Sequence, residues 1–116
     1  RLLGQPRSLI FRGEGGECEV RPGADSRCIL VADGTGREIL LPRLLAERPE
    51  GGAAPDPAAL LALWQGRAPD AHGEAAVIAT AAAALLALGA ASDAETALAL
   101  ARSYWDARGA WPGAPA

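Results

Sequence analysis

The chain has 116 residues, half of them hydrophobic but only 4% aromatic, with 14 acidic against 11 basic side chains and a formal net charge of −3. That length suits one domain or part of one, and an acidic balance without a basic stripe disfavours an autonomous nucleic-acid binder. All the bases are Arg, and Lys, Asn and Met are absent, a bias that points to G- and C-rich codons and weakens any function argument built on composition.

Leu2-Leu3-Gly4 has the form of a helix end with Gly4 at the cap, and Pro6 forbids continuation. A chain that opens inside a helix end and contains no Met is expected to be a fragment of a larger protein. Residues 8–12, Ser-Leu-Ile-Phe-Arg, form a short apolar run bounded by turn residues, which predicts a strand buried on both faces of a parallel sheet. Gly13, Gly15 and Gly16 break it. Residues 17–21 alternate as a strand does, and Pro22-Gly23 makes a turn. A strong strand is expected over 28–32, then a hairpin at Asp33-Gly34-Thr35-Gly36 and a return strand over 37–41.

Residues 47–55 are rich in Gly and Pro and predict a loop. Asp56 then stands as N-cap with Pro57 at the first helical position, and Gly66 stops that helix after Gln65. Asp70 caps a second helix that runs to Leu88 and stops at Gly89. Ser92 and Glu95 have capping-box spacing for a third, which runs to Arg108 with Gly109 as its stop. The organisation expected is therefore a strand-rich part over 1–46, a loop over 47–55, a three-helix part over 56–109 and a loose tail over 110–116. The second helix is apolar on nearly every face from 75 to 88, so it should be buried all round. It is too short and too Ala-rich for a membrane span.

Several segments carry possible chemistry. Gly13-Glu14-Gly15-Gly16 lacks the Lys-Ser/Thr of a P-loop and does not open a helix, so it reads as a glycine turn leaving a strand. Asp33 to Gly36 lies between strands and reads as a hairpin. Glu14, Glu17 and Glu19 follow a strand expected to be parallel, at the edge where open α/β sheets bind ligands. Such carboxylates suit Mg²⁺ held against a pyrophosphate, or simply a solvated acidic turn. His72 is the only His and has no evident orienting neighbour for catalysis. Trp64, Tyr104 and Trp105 sit on helical faces with apolar neighbours. With Trp111 they read as packing aromatics rather than base-stacking platforms. Cys18 and Cys28 complete neither a disulfide framework nor a zinc site, which fits reduced thiols in a cytoplasmic protein without a signal peptide.

Taken in order, Ile10-Phe11-Arg12-Gly13-Glu14-Gly15-Gly16-Glu17-Cys18-Glu19, Thr80-Ala81-Ala82-Ala83-Ala84-Leu85-Leu86-Ala87-Leu88-Gly89 and Ser92-Asp93-Ala94-Glu95 resemble the C-terminal part of the glycosyltransferase family that includes anthranilate phosphoribosyltransferase (TrpD) and its TrpD-like relatives. The resemblance covers almost the whole chain but only about the last third of the family's length. It implies an α/β fold: the C-terminal portion of a mainly parallel sheet with an antiparallel extension and three packed helices. It also implies a parent that transfers a phosphoribosyl group from phosphoribosyl pyrophosphate (PRPP) to a nitrogen nucleophile with Mg²⁺. Glu19 falls on the Glu of the family's metal-binding acidic pair and Glu17 lies beside it, while Gly13 and Glu14 fall where substrate is approached. Cys18 replaces the family's Asp, Arg12 its His and Thr80 its Asn, and a thiol is a poor ligand for a hard cation. The departures resemble the TrpD-like (YbiB-like) branch, whose members are similar to nucleic-acid binders as much as to enzymes. The family's Gly-Thr-Gly-Gly-Asp loop has no counterpart in these residues, nor has the N-terminal helical domain that carries the homodimer contact. The fragment alone is accordingly expected to be inactive, because positioning of both substrates supplies much of such catalysis.

Overall fold

A computed structural model describes residues 4–13, 18–46 and 56–111. Its elements are strands β1 (Arg7–Ile10), β2 (Ser26–Ala32) and β3 (Thr35–Leu41), then helices α1 (Pro57–Trp64), α2 (Ala71–Leu88) and α3 (Ala94–Asp106), with a 3-10 turn at Arg108–Ala110. The protein is mixed α/β. The expected loop over 47–55 and the tail over 112–116 lie outside the described residues.

The three strands form one sheet in the order β1-β2-β3, and both pairings are antiparallel. The expectation for residues 8–12 is corrected here. That segment forms β1 at an edge of the sheet, antiparallel to β2, with Leu9 beside Leu30 and a half-exposed Ile10 beside Ile29. A short apolar run states that a strand exists; it carries no information about the partner's direction, and it has too few residues to show how many of its faces are covered. The hairpin between β2 and β3 is as expected. Asp33 and Gly34 both take positive φ, 52° and 78°, which a type I′ two-residue turn requires and which Asp and Gly tolerate best.

Residues 18–20 form a bend rather than the strand expected over 17–21. The backbone N–H of Val20 donates to the hydroxyl of Thr80 on α2 at 2.9 Å, so this segment is bound to a helix and not to a sheet.

Each helix begins with an Asp cap. Asp56 accepts from the Ala59 N–H at 2.7 Å and Asp70 from the Gly73 N–H at 3.0 Å. For α3 the cap is Asp93, not Ser92: its carboxylate accepts the Thr96 N–H at 2.8 Å and the Thr96 hydroxyl at 3.0 Å. Asp93 and Thr96 have the same spacing as Ser92 and Glu95, and a carboxylate that receives two donors wins. Gly73 leaves room there, because a Cβ would lie 2.8 Å from both an Asp70 carboxylate oxygen and a Leu63 methyl, and those side-chain ends would have to shift.

The core lies between the inner sheet face and the helices. Cys28 and Leu30 of β2 and Ile39 and Leu41 of β3 face it. Small residues dominate the helical side, with Ala79, Ala82 and Ala83 on α2 and Ala97 and Ala101 on α3 all buried. They allow α2 and α3 to approach closely, and α2 also packs on β1. Contrary to expectation α2 is not buried all round, since Val77, Ala84 and Leu88 are exposed. Ala is compatible with either environment, so an Ala-rich helix that is apolar on every face need not bury every face.

The acidic turn and its tie to the second helix

β1 ends at Ile10, and the chain passes through Phe11, Arg12 and a half-buried Gly13 toward the acidic segment. Glu14 and Glu17, two of the predicted ligand-binding residues, lie outside the described residues. Cys18 and Glu19 follow, both exposed, with the Cys18 thiol donating to Glu19 Oε1 at 3.5 Å. Val20 then turns inward and is buried.

Thr80 fixes this inward turn. It sits midway along α2, half-buried, among Ala residues that offer no polar atom, and its hydroxyl accepts the Val20 N–H. A buried N–H without a partner would cost about 1–3 kcal/mol, so Thr80 determines where the chain leaving Glu19 can enter the core. Two segments singled out separately in the sequence, the acidic turn and the Ala-rich run that begins at Thr80, are thereby joined. A second tie holds β1 itself. The Arg7 guanidinium donates to the carbonyls of Ala87 and Leu86 at 2.9 and 3.2 Å, satisfying the C-terminal end of α2 where Gly89 takes a positive φ of 78°.

The chemistry of the described donors is limited. Glu19 supplies one carboxylate and Cys18 a thiol; no group of three His, Cys, Asp or Glu suited to a metal ion occurs among the described residues. Mg²⁺ takes hard oxygen ligands in near-ideal octahedral geometry, so these two side chains do not fit a resident ion. His72 lies half-buried in the first turn of α2, away from any such group. Cys28 is buried in the core, and burial pushes its thiol pKa up, which favours the inert protonated form. Both cysteines are free thiols, as expected.

The three Trp residues pack with one another. Trp64 meets Trp105 and Trp111 edge-on, with ring centroids 6.0 and 5.7 Å apart, and the Arg108 guanidinium lies 3.9 Å from the Trp105 ring centroid. Arg108 also donates to the carbonyls of Trp64 at 2.6 Å and Trp105 at 2.8 Å, binding the end of α1 to the end of α3. The sequence gives no sign of this cluster, because its members come from separate elements. By length and composition α2 qualifies as a candidate membrane span, a test that the core helix of a soluble protein also passes. No protein-family model matches this chain, and no curated protein matches it.

Proposed function

We propose that this chain is the C-terminal part of a cytoplasmic glycosyltransferase of the phosphoribosyltransferase-like kind, inactive by itself. Its parent would displace pyrophosphate from the ribose C1 of PRPP by a nitrogen nucleophile. The observation that carries this reading is the Val20–Thr80 hydrogen bond. It joins the acidic turn to the Ala-rich helix, two segments that carry the resemblance as parts of one ordered set.

In this proposal Glu19 presents its exposed carboxylate toward the polyanionic substrate's cation, with Glu17 and Glu14 beside it in sequence and Gly13 leaving room for close approach. Thr80 holds the backbone that carries Glu19. Mg²⁺, when it accompanies PRPP, neutralises pyrophosphate charge, and most of its ligands would be the substrate's own oxygens because Cys18 stands where a second carboxylate is expected. The finer fold proposal also stands here. Among the described residues β1 is paired on one side only, so its other edge suits a further strand of a larger, mainly parallel sheet.

Calorimetric titration of PRPP with and without Mg²⁺ tests the proposal. The expected result is weak, Mg²⁺-dependent binding that Cys18→Asp strengthens and Glu19→Gln removes, with no turnover of anthranilate by the chain alone. Failure of Cys18→Asp to bind PRPP at all would overturn the assignment. So would retention of a single-stranded oligonucleotide at physiological salt with no response to PRPP, which would put the chain among nucleic-acid binders.

A further inference from the structure

α1 is fastened to the rest of the chain by one end. Residues 56–61, its cap and the helix up to Leu61, are all exposed, Leu60 and Leu61 to 52% and 40%. Burial begins in the last turn, where Leu63 enters the core and Trp64 packs beside it. Leu63 reaches the first turn of α2 at Gly73, whose missing side chain leaves it a seat: a Cβ there would lie 2.8 Å from Leu63 Cδ2. Trp64 meets the Trp105 and Trp111 rings edge-on.

Arg108 closes this end. Among the described residues it donates every hydrogen bond that joins α1 to another element, through Nε to the Trp64 carbonyl at 2.6 Å and through Nη2 to the Leu63 carbonyl at 3.4 Å. The same guanidinium donates through Nη1 to the Trp105 carbonyl at 2.8 Å and stands 3.9 Å from the Trp105 ring centroid. It is thus fixed to α3 while it grips α1.

The connection to α2 leaves α1 free to swing. Gly66, at φ 71°, ends the helix, and the N–H groups of Gly66 and Arg67 return to the carbonyls of Leu63 and Ala62. This cap closes α1 without using α2. Arg67, Ala68, Pro69 and Asp70 follow, all exposed, and Asp70 caps α2 in its own right. α1 is eight residues long and has no polar side chain for stabilising pairs along its surface. Isolated helices shorter than about 12–15 residues are marginal in water, so the helical state of α1 depends on its docking.

We propose that α1 is a strap latched by Arg108, which undocks and unwinds as a unit about residues 67–70 while the sheet, α2 and α3 stay folded. Opening withdraws Leu63 from its seat at Gly73 and Trp64 from the Trp105 ring. It breaks no described hydrogen bond within the sheet, α2 or α3. Cooperative openings of this kind cost less free energy than global unfolding. This inference does not rest on the glycosyltransferase reading.

Native-state hydrogen exchange of the full chain, at rising urea below the unfolding transition, tests it. In the wild type the amides of residues 60–65 are expected to exchange at least ~10-fold faster than those of Ala82 and Leu86, with a weaker urea dependence because less surface is exposed. Arg108→Ala is expected to speed exchange at 60–65 several-fold further and to shift Trp emission to the red, with Ala82 and Leu86 unchanged. Arg108→Lys is expected to behave like Arg108→Ala, since an ammonium lacks the fixed fork that spans both helices. Should Arg108→Ala fail to fold, Gly73→Ala replaces it. That change fills the Leu63 seat while favouring the helical state of α2, so faster exchange at 60–65 with undiminished protection in α2 is expected. Amides of 60–65 that share the rate and urea dependence of Ala82 and Leu86 would overturn the proposal. So would an Arg108→Ala variant that speeds both sets by the same factor, or one that leaves 60–65 unchanged.

Discussion

Ala82 is fully buried near the middle of α2, within the cluster that includes Leu30, Ile39 and Leu86. Replacing it by Glu introduces volume and a carboxylate into a site lined by apolar side chains. Overpacking alone costs about 1–3 kcal/mol. An uncompensated buried charge adds several more, so a total of roughly 3–5 kcal/mol is a conservative figure at neutral pH. Against a total stability on the order of 5–15 kcal/mol, that is a large fraction. It corresponds to a melting temperature lower by roughly 12–40 °C, at about 4–8 °C per kcal/mol for a domain of this size. The penalty is pH-dependent with a definite sign. Burial raises the new carboxyl's folded pKa above its unfolded value of about 4.3. Below that value the group is neutral in both states and only the steric part remains. As pH rises above it, stability falls by about 1.4 kcal/mol per unit until the folded pKa is passed. Ala84→Glu is the control, because Ala84 lies exposed on the same helix and a surface change costs within about 0.5 kcal/mol. Thermal melts and urea titrations followed by far-UV circular dichroism, at acid and neutral pH, measure both variants. Equal melting temperatures for Ala82→Glu and Ala84→Glu would refute the burial of this face of α2 in the core.

Thr80→Val, which keeps the shape and removes the acceptor, is expected to speed hydrogen exchange of the Val20 amide and lower stability by about 1–3 kcal/mol, while Thr80→Ser retains protection. Asp93→Ala is expected to lower the melting temperature, and Asp93→Asn to preserve most of it, because the cap works by accepting from Thr96. The Asp93 carboxyl is held below its ordinary pKa by the Thr96 backbone N–H, then by the Thr96 hydroxyl and the positive charge of Arg37. The stability it contributes is therefore present above the unfolded carboxyl pKa and is lost as pH falls through the lower folded value. In native protein a thiol reagent should label Cys18 quickly and Cys28 only at the rate of opening, since one is exposed and the other buried with a raised pKa. Equal labelling rates would contradict the core.

The helices were legible in the sequence because their ends are written in local chemistry: Asp56 and Asp70 as caps, Pro57 at the first position, Gly66 and Gly89 as stops. The hairpin was legible for the same reason, through Asp33-Gly34. What local chemistry does not encode is direction and partner. The apolar run of β1 fits a parallel core strand and an antiparallel edge strand equally well, and only its pairing with β2 decides between them. Ser92 and Asp93 compete for one cap, and the choice depends on which side chain also meets Thr96 and Arg37. The tie between Val20 and Thr80 spans sixty positions and was invisible, although Thr80, a lone hydroxyl in a run of Ala, was the signal that could have found it.

The use of Arg in this chain bears on function as well as on folding. Arg7 donates to two carbonyls at the end of α2, Arg108 to carbonyls at the ends of α1 and α3, and Arg37 to the Ser92 carbonyl ahead of α3 at 2.7 Å. Arg21 and Arg43 likewise donate to the Asp25 and Ala46 carbonyls. A guanidinium offers five donors in a fixed fork, so one side chain satisfies several orphan carbonyls at once; an ammonium on a flexible stem does this less well. Helix C-termini also carry partial negative charge, which favours a cation there. These arginines are engaged with the chain's own backbone. Arg7, Arg37 and Arg108 thus tie separate elements of the chain together, and the ligand site proposed above is the acidic turn anchored by Thr80.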